Sequence, residues 1–157
     1  MNYALIQKTI GMMILVFAAI LIIPFSISLS YNDGNTSSFI YSFLIIFLFG
    51  SILFFPNRLN SFDSNIKIKE GFLIVVLFWV LLSLFGSFPF MFDTNLSMTF
   101  VDAFFESVSG WTTTGATVII NLDNLSPSIL IYRQLLQWLG GMGTVSYTHL
   151  RAHETTT

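Results

Sequence analysis

Four consecutive residues, Thr113-Thr114-Gly115-Ala116, have the types needed to strip a cation of its water. A potassium filter replaces the hydration shell of the ion with backbone carbonyls. That chemistry needs an extended segment with its carbonyls turned to one side, and Gly115 permits the dihedral angles this requires. Small side chains let several such segments approach one axis. Taken alone, a Thr-Thr-Thr-Gly run also fits a plain polar turn. Its neighbours decide between the two.

Ahead of it, Phe100 to Trp111 reads as a helix, with Thr99 and Asp102 spaced as a capping box at its start. At about 18 Å it covers little over half of a bilayer core. Its partially negative C-terminal end would lie near the ion path and favour a cation. Behind it runs a polar link through Asn121, Asp123 and Asn124. Ser126-Pro127 then opens a new helix, Ser as N-cap and Pro in the first turn, where its missing N–H costs nothing. That helix is apolar to about Gly143, apart from Arg133, Gln134 and Gln137. Non-helical backbone at membrane depth is tolerated only where protein buries it or water reaches it. The pattern is a pore loop, entering and leaving the membrane from one face.

The rest of the chain supplies the membrane. Of its 157 residues 54% are hydrophobic and only 9% charged, too few charges to clothe a water-facing surface. The net charge of -2 argues against a nucleic-acid partner. With no Cys there is no disulfide framework and no thiolate metal site. His149 and His153 crowd the C-terminal end and make no metal site, and HExxH, P-loop and GxGxxG motifs are missing. The sequence reads as a non-enzyme without cofactors, surrounded by membrane lipid.

Ile10 to Leu29 is a charge-free run of about 20 residues, longer than a signal-peptide core. A second run, Phe39 to Phe55, returns and stops at Pro56-Asn57-Arg58; a third extends from Gly71 to Phe92, interrupted only by small residues and Pro89. Lys8, Arg58, Lys67 and Lys69 share one side of these helices, whereas the opposite loops hold Asp33 and Asp93. Basic residues stay cytoplasmic, so the N-terminus is expected inside and the Asp33 loop outside. The expected fold class is an all-α integral membrane protein. Residues 1–70 form an N-terminal helix pair. Residues 71–144 form one repeat: helix 71–92, pore helix 100–111, filter 112–117 and a second, incomplete helix from 127.

Beside the filter, Asp102 and Glu106 share a face of the pore helix. They are either a lure for cations or, as the simpler reading has it, a cap and a buried brace. Arg133, roughly 9 Å into its helix, either pairs with Glu106 or Asp123, takes a direct part in ion passage, or snorkels outward. Gly140-Gly141-Met142-Gly143 suits close helix packing or a hinge.

Asp102-Ala103-Phe104-Phe105-Glu106-Ser107 and Gly110 through Thr117 resemble the first pore loop of the Trk/Ktr/HKT potassium transporter superfamily. The likeness is strongest to its bacterial TrkH/TrkG potassium-uptake branch. Pro56-Asn57-Arg58, Glu70 through Trp79, Tyr132-Arg133-Gln134 and Gln137 through Gly143 extend it over nearly all of residues 1–143. The resemblance implies four non-identical repeats in one complete chain, preceded by an extra helix pair, with one filter segment from each repeat. It implies K+ as the transported ion, coordinated here by the carbonyls of Thr113, Thr114, Gly115 and Ala116. Thr112, Thr117, Glu106 and Arg133 would support them. It further implies a bacterial plasma (inner) membrane location, a homodimer, and a cytosolic nucleotide-binding partner of the TrkA type. The expected function is potassium uptake by a symporter or channel-like subunit. The alternatives are an uncoupled Ktr-like or other pore-loop channel, and a non-transporting scaffold. A chain with one filter segment of four is expected not to conduct by itself. Residues 145–157 resemble a translated adaptor or vector sequence, and a non-native tail is expected there.

Overall fold

The structure, a computed structural model, describes residues 3–57, 68–120 and 122–154, with side chains of the last helix placed as far as Gly143. Arg58, Lys67 and Asn121 lie outside the described residues, as do the side chains of His149 and His153. The regular secondary structure of the described residues is helical: α1 Tyr3–Ile20, α2 Ile22–Tyr31, α3 Thr36–Phe54, α4 Ile68–Gly86, α5 Phe88–Phe92, α6 Phe100–Trp111 and α7 Pro127–Glu154. Three stretches are long and apolar enough to cross a membrane: Tyr3–Tyr31, Thr36–Phe54 and Ile68–Phe92.

The first and third of these are interrupted, and proline explains both breaks. Pro24 has no N–H for the carbonyl of Ile20, and its ring crowds that carbonyl, so the chain turns at Leu21 between α1 and α2. Pro89 does the same to the turn before it. The expected continuous helix from Gly71 to Phe92 is therefore corrected to two helices, α4 and α5, joined at Ser87. The Ser87 hydroxyl donates to the Leu84 carbonyl at 2.6 Å, so a side chain satisfies an acceptor beside the break.

Glycine sets the closest helix crossing. A Cβ on Gly11 would stand 2.8 Å from the Phe54 nitrogen, and one on Gly50 would press on Leu15, so α1 and α3 meet almost backbone to backbone. Their apolar faces, with Ile10, Ile14, Phe17, Phe39 and Ile46, begin the buried core that continues into the repeat. There α6 lies between α4 and α7. The Trp111 ring is caged edge-on by Phe17 of α1 and Phe78 of α4, at centroid distances of 5.5 and 5.9 Å.

A polar network ties the first helix pair to the repeat. Ser126 holds the N-cap position of α7, but its hydroxyl accepts from the Asn35 side chain at 2.6 Å instead of capping the helix. The cap comes from Asp33, whose Oδ2 accepts from the Ser128 amide at 3.1 Å. Burial alone would push the Asp33 carboxyl up. Hydrogen bonds from Ser128 and Ser28 and from the backbone of Asn35 and Ser128 overcome this and hold it below its usual value. Asp93 moves the other way: burial, with help from the nearby Asp33 charge, outweighs the Asn95 and Leu96 amides and raises it.

Candidate functional site: a carbonyl-lined strand behind a half-length helix

The non-helical segment at 112–119, a strand only in the sense of a single run of chain outside any sheet, is fixed from both of its ends by α6. Thr99 caps that helix, its hydroxyl accepting from the Asp102 amide at 3.3 Å and donating to the Asp102 carboxylate at 2.7 Å. The helix then spans Phe100–Trp111. Its last turn does not simply fray. The Thr113 amide donates to the Gly110 carbonyl at 3.0 Å, and the Thr114 amide to the Ser109 carbonyl at 3.0 Å. These bonds satisfy the orphan carbonyls of the helix end and turn the chain back along it.

Two residues of the strand have left-handed backbone, Thr113 (φ 57°) and Gly115 (φ 75°). Glycine adopts this at no steric cost, whereas a β-branched threonine is strained there. Such strain persists only where the surroundings impose it, and it gathers at functional sites. The hydroxyls absorb part of it. Thr113 Oγ1 donates to the Thr112 carbonyl at 2.7 Å, and Thr112 Oγ1 lies 2.8 Å from both the Val108 carbonyl and Thr114 Oγ1.

The carbonyls then divide into two groups. Ala116 oxygen accepts from the Ser109 hydroxyl at 2.6 Å. Among the described residues no donor reaches the carbonyls of Thr113, Thr114 or Gly115. All four residues are exposed, on a face of the repeat that none of the described residues covers.

Glu106 secures the far end. Its Oε1 accepts from the Thr117 hydroxyl and from the Val118 amide, the latter at 2.7 Å. Its Oε2 pairs with Arg133 Nε of α7 at 3.2 Å, with side chains 1% and 12% exposed for Glu106 and Arg133. One carboxylate thus joins α6, the end of the strand and α7. Of the two acidic partners the sequence offers to Arg133, the structure brings it to Glu106. A charge buried in this way is stable only when paired and fully hydrogen-bonded.

Close packing places the helices around the strand. A Cβ on Gly140 would collide with the Trp111 carbonyl, and one on Gly110 would stand 2.9 Å from Leu136 Cβ. The backbone of α7 therefore seats the C-terminal end of α6 directly. Gly86 leaves room for Ser107, Trp111 and Tyr132, and the Tyr132 hydroxyl donates to the Gly86 carbonyl at 2.7 Å. Past Gly143 the α7 backbone stays helical to Glu154. Sequence reasoning missed Ser109 and the capping role of Asp33. Ser109 carried one readable sign, a hydroxyl on the last turn of α6 directly before the threonine run.

This geometry has close counterparts. The family model for TrkH, described as a cation transport protein, matches residues 35–155. The chain belongs to the TrkH family. It is 45% identical over 145 residues to the Trk system potassium uptake protein TrkH of Salmonella typhimurium, which covers 92% of this chain and 30% of that protein. The TrkG protein of Escherichia coli is 34% identical over 135 residues, 86% of this chain and 27% of its own length. The crystal structure of the potassium transporter TrkH from Vibrio parahaemolyticus superposes with a TM-score of 0.85 at 43% identity, covering 91% of this chain and 30% of that one. The chain thus spans about 30% of the length of the TrkH relatives it matches. The family is one of transport proteins, not enzymes.

Proposed function

We propose that this chain supplies one of four filter segments of a potassium-translocating membrane protein, with K+ stripped of water at the carbonyls of Thr113, Thr114 and Gly115. Ala116 takes part with the lone pair that Ser109 leaves free. The observation that carries this reading is the set of three carbonyls without donors among the described residues, held on an exposed face at the end of a half-length helix. An acceptor cluster of this kind is costly unless it faces water or an ion, and the pore-helix C-terminus favours a cation there. The potassium assignment draws on the names of the relatives and on the motif resemblance.

In the complete protein, residues 1–70 form the extra helix pair and residues 71–144 the first repeat. Thr112, Thr117, Glu106 and Arg133 act as supports that never touch the ion. The N-terminus and the basic loop face the cytoplasm of a bacterium, placing the Asp33 network at the outer side of the inner membrane. A homodimer gated by a TrkA-type nucleotide-binding subunit follows from the same resemblance. A non-native origin for residues 145–157 rests instead on their likeness to a translated adaptor or vector sequence, against a family match that runs to residue 155. The test is potassium-limited growth of an uptake-deficient bacterium carrying the full-length protein. Gly115→Ser is expected to weaken potassium uptake and admit sodium. If it left both uptake and sodium discrimination unchanged, the filter assignment would be wrong.

A further inference from the structure

We infer that the Ser109 hydroxyl is a specificity-setting positioning residue, because it pins the Ala116 carbonyl and so fixes the spacing of the outermost carbonyl of the filter. The inference rests on the filter reading above. Ser109 is buried on the last turn of α6, seven positions before Ala116 in the chain. It grips the strand twice. Its carbonyl accepts from the Thr114 amide at 3.0 Å and, more loosely, from the Gly115 amide at 3.5 Å. Its hydroxyl donates to the Ala116 carbonyl at 2.6 Å. One residue therefore holds Thr114, Gly115 and Ala116, every filter position after the strained Thr113.

The two grips differ in what a substitution can remove. The backbone grip survives any side-chain change that leaves α6 intact. The hydroxyl grip does not. A carbonyl oxygen has two lone pairs, and Ser109 commits one of them while restricting the direction of the other. Without the hydroxyl, the Ala116 peptide is free to tilt. A carbonyl that can tilt can close around a smaller ion, and sodium is the smaller ion. A pinned carbonyl holds one spacing. Ser109 thus favours the larger cation at the edge of the filter without touching it, as Glu106 anchors the strand just beyond.

The experiment measures potassium and sodium uptake by the full-length protein, normalised to the protein present in the membrane, for Ser109→Ala, Ser109→Thr and Gly115→Ser. Ser109→Ala is expected to lower the potassium-to-sodium uptake ratio about fivefold, the loss expected of one hydrogen bond. Ser109→Thr, which keeps the hydroxyl, is expected to restore the ratio. An unchanged ratio in Ser109→Ala while Gly115→Ser loses discrimination overturns the role of Ser109 and leaves the filter standing. A fall in total uptake with the ratio unchanged also overturns it, since that is what simple packing loss gives. Equal impairment by Ala and Thr overturns it as well. If Gly115→Ser also keeps its ratio, the filter reading itself falls.

Discussion

Replacing Glu106 with glutamine changes almost nothing in size and removes the charge that joins three elements. In the native chain Oε1 accepts from Thr117 and Val118, and Oε2 pairs with Arg133 at 3.2 Å. Glutamine keeps one oxygen for the strand but turns an amide N–H toward the Arg133 guanidinium, donor against donor. Removing one partner of a buried ion pair costs about 3–5 kcal/mol, chiefly because the other charge is left unpaired. Arg133 retains some exposure, 12% of its side chain, and can partly turn toward water. The lower end, about 3 kcal/mol, is therefore expected, a large share of the stability of an ordinary domain. Thermal melting of the purified full-length protein should show it as a clearly lowered Tm, with reduced potassium uptake per molecule. The decisive assay is a double-mutant cycle. Adding Arg133→Gln removes the stranded charge, so the double variant should lose about 1–3 kcal/mol less than the sum of the singles. Strictly additive losses, or a Glu106→Gln protein with native melting and native ion discrimination, would refute the anchoring argument.

Further predictions concern the helix seat and the outer network. Gly140→Ala drives a methyl group into the Trp111 carbonyl, so α6 must shift; a loss of about 1–3 kcal/mol in melting experiments and a disturbed filter are expected. Val at the same position should be worse than Ala. Asp33 has a lowered folded-state pKa, so its contribution to stability is fully present above the ordinary value of 3.8 and is lost as pH falls below it. Melting curves across acidic pH should therefore flatten in Asp33→Asn. Asp93 has a raised value and acts in the opposite sense: its burial as a carboxylate is unfavourable, and acidification through that raised value relieves the cost. Asp93→Asn should accordingly steepen the acid loss.

How far the sequence could be read depended on the range of the forces involved. Helix α6 was legible to its ends because local chemistry sets them: Thr99 and Asp102 cap one end, and the β-branched threonine run followed by Gly115 disfavours helix beyond Trp111. The membrane-crossing stretches were legible from length and hydropathy. Pro89 stood out as an interruption of the third run, but that the helix ends at Ser87, and that Pro24 breaks the first run at Leu21, was not legible, since a proline in a helical run can kink the helix or end it. Depth along its helix left Arg133 with pairing to Glu106 or Asp123, snorkelling or a role in ion passage, and the choice of Glu106 required the packed repeat. Long-range substitution was invisible. Ser126 had every local mark of an N-cap, yet Asn35 takes its hydroxyl and Asp33 caps the helix from 95 positions away. The Ser109 contact depends on the strand doubling back along α6, which no residue pattern announces.

The most direct test of the central claim is anomalous scattering from thallium or rubidium in crystals of the full-length protein. The account predicts ion density facing the carbonyls of Thr113, Thr114 and Gly115, on the axis that the exposed face of this strand lines. Ion density elsewhere along the pore, with those three carbonyls turned away from it, would contradict the account.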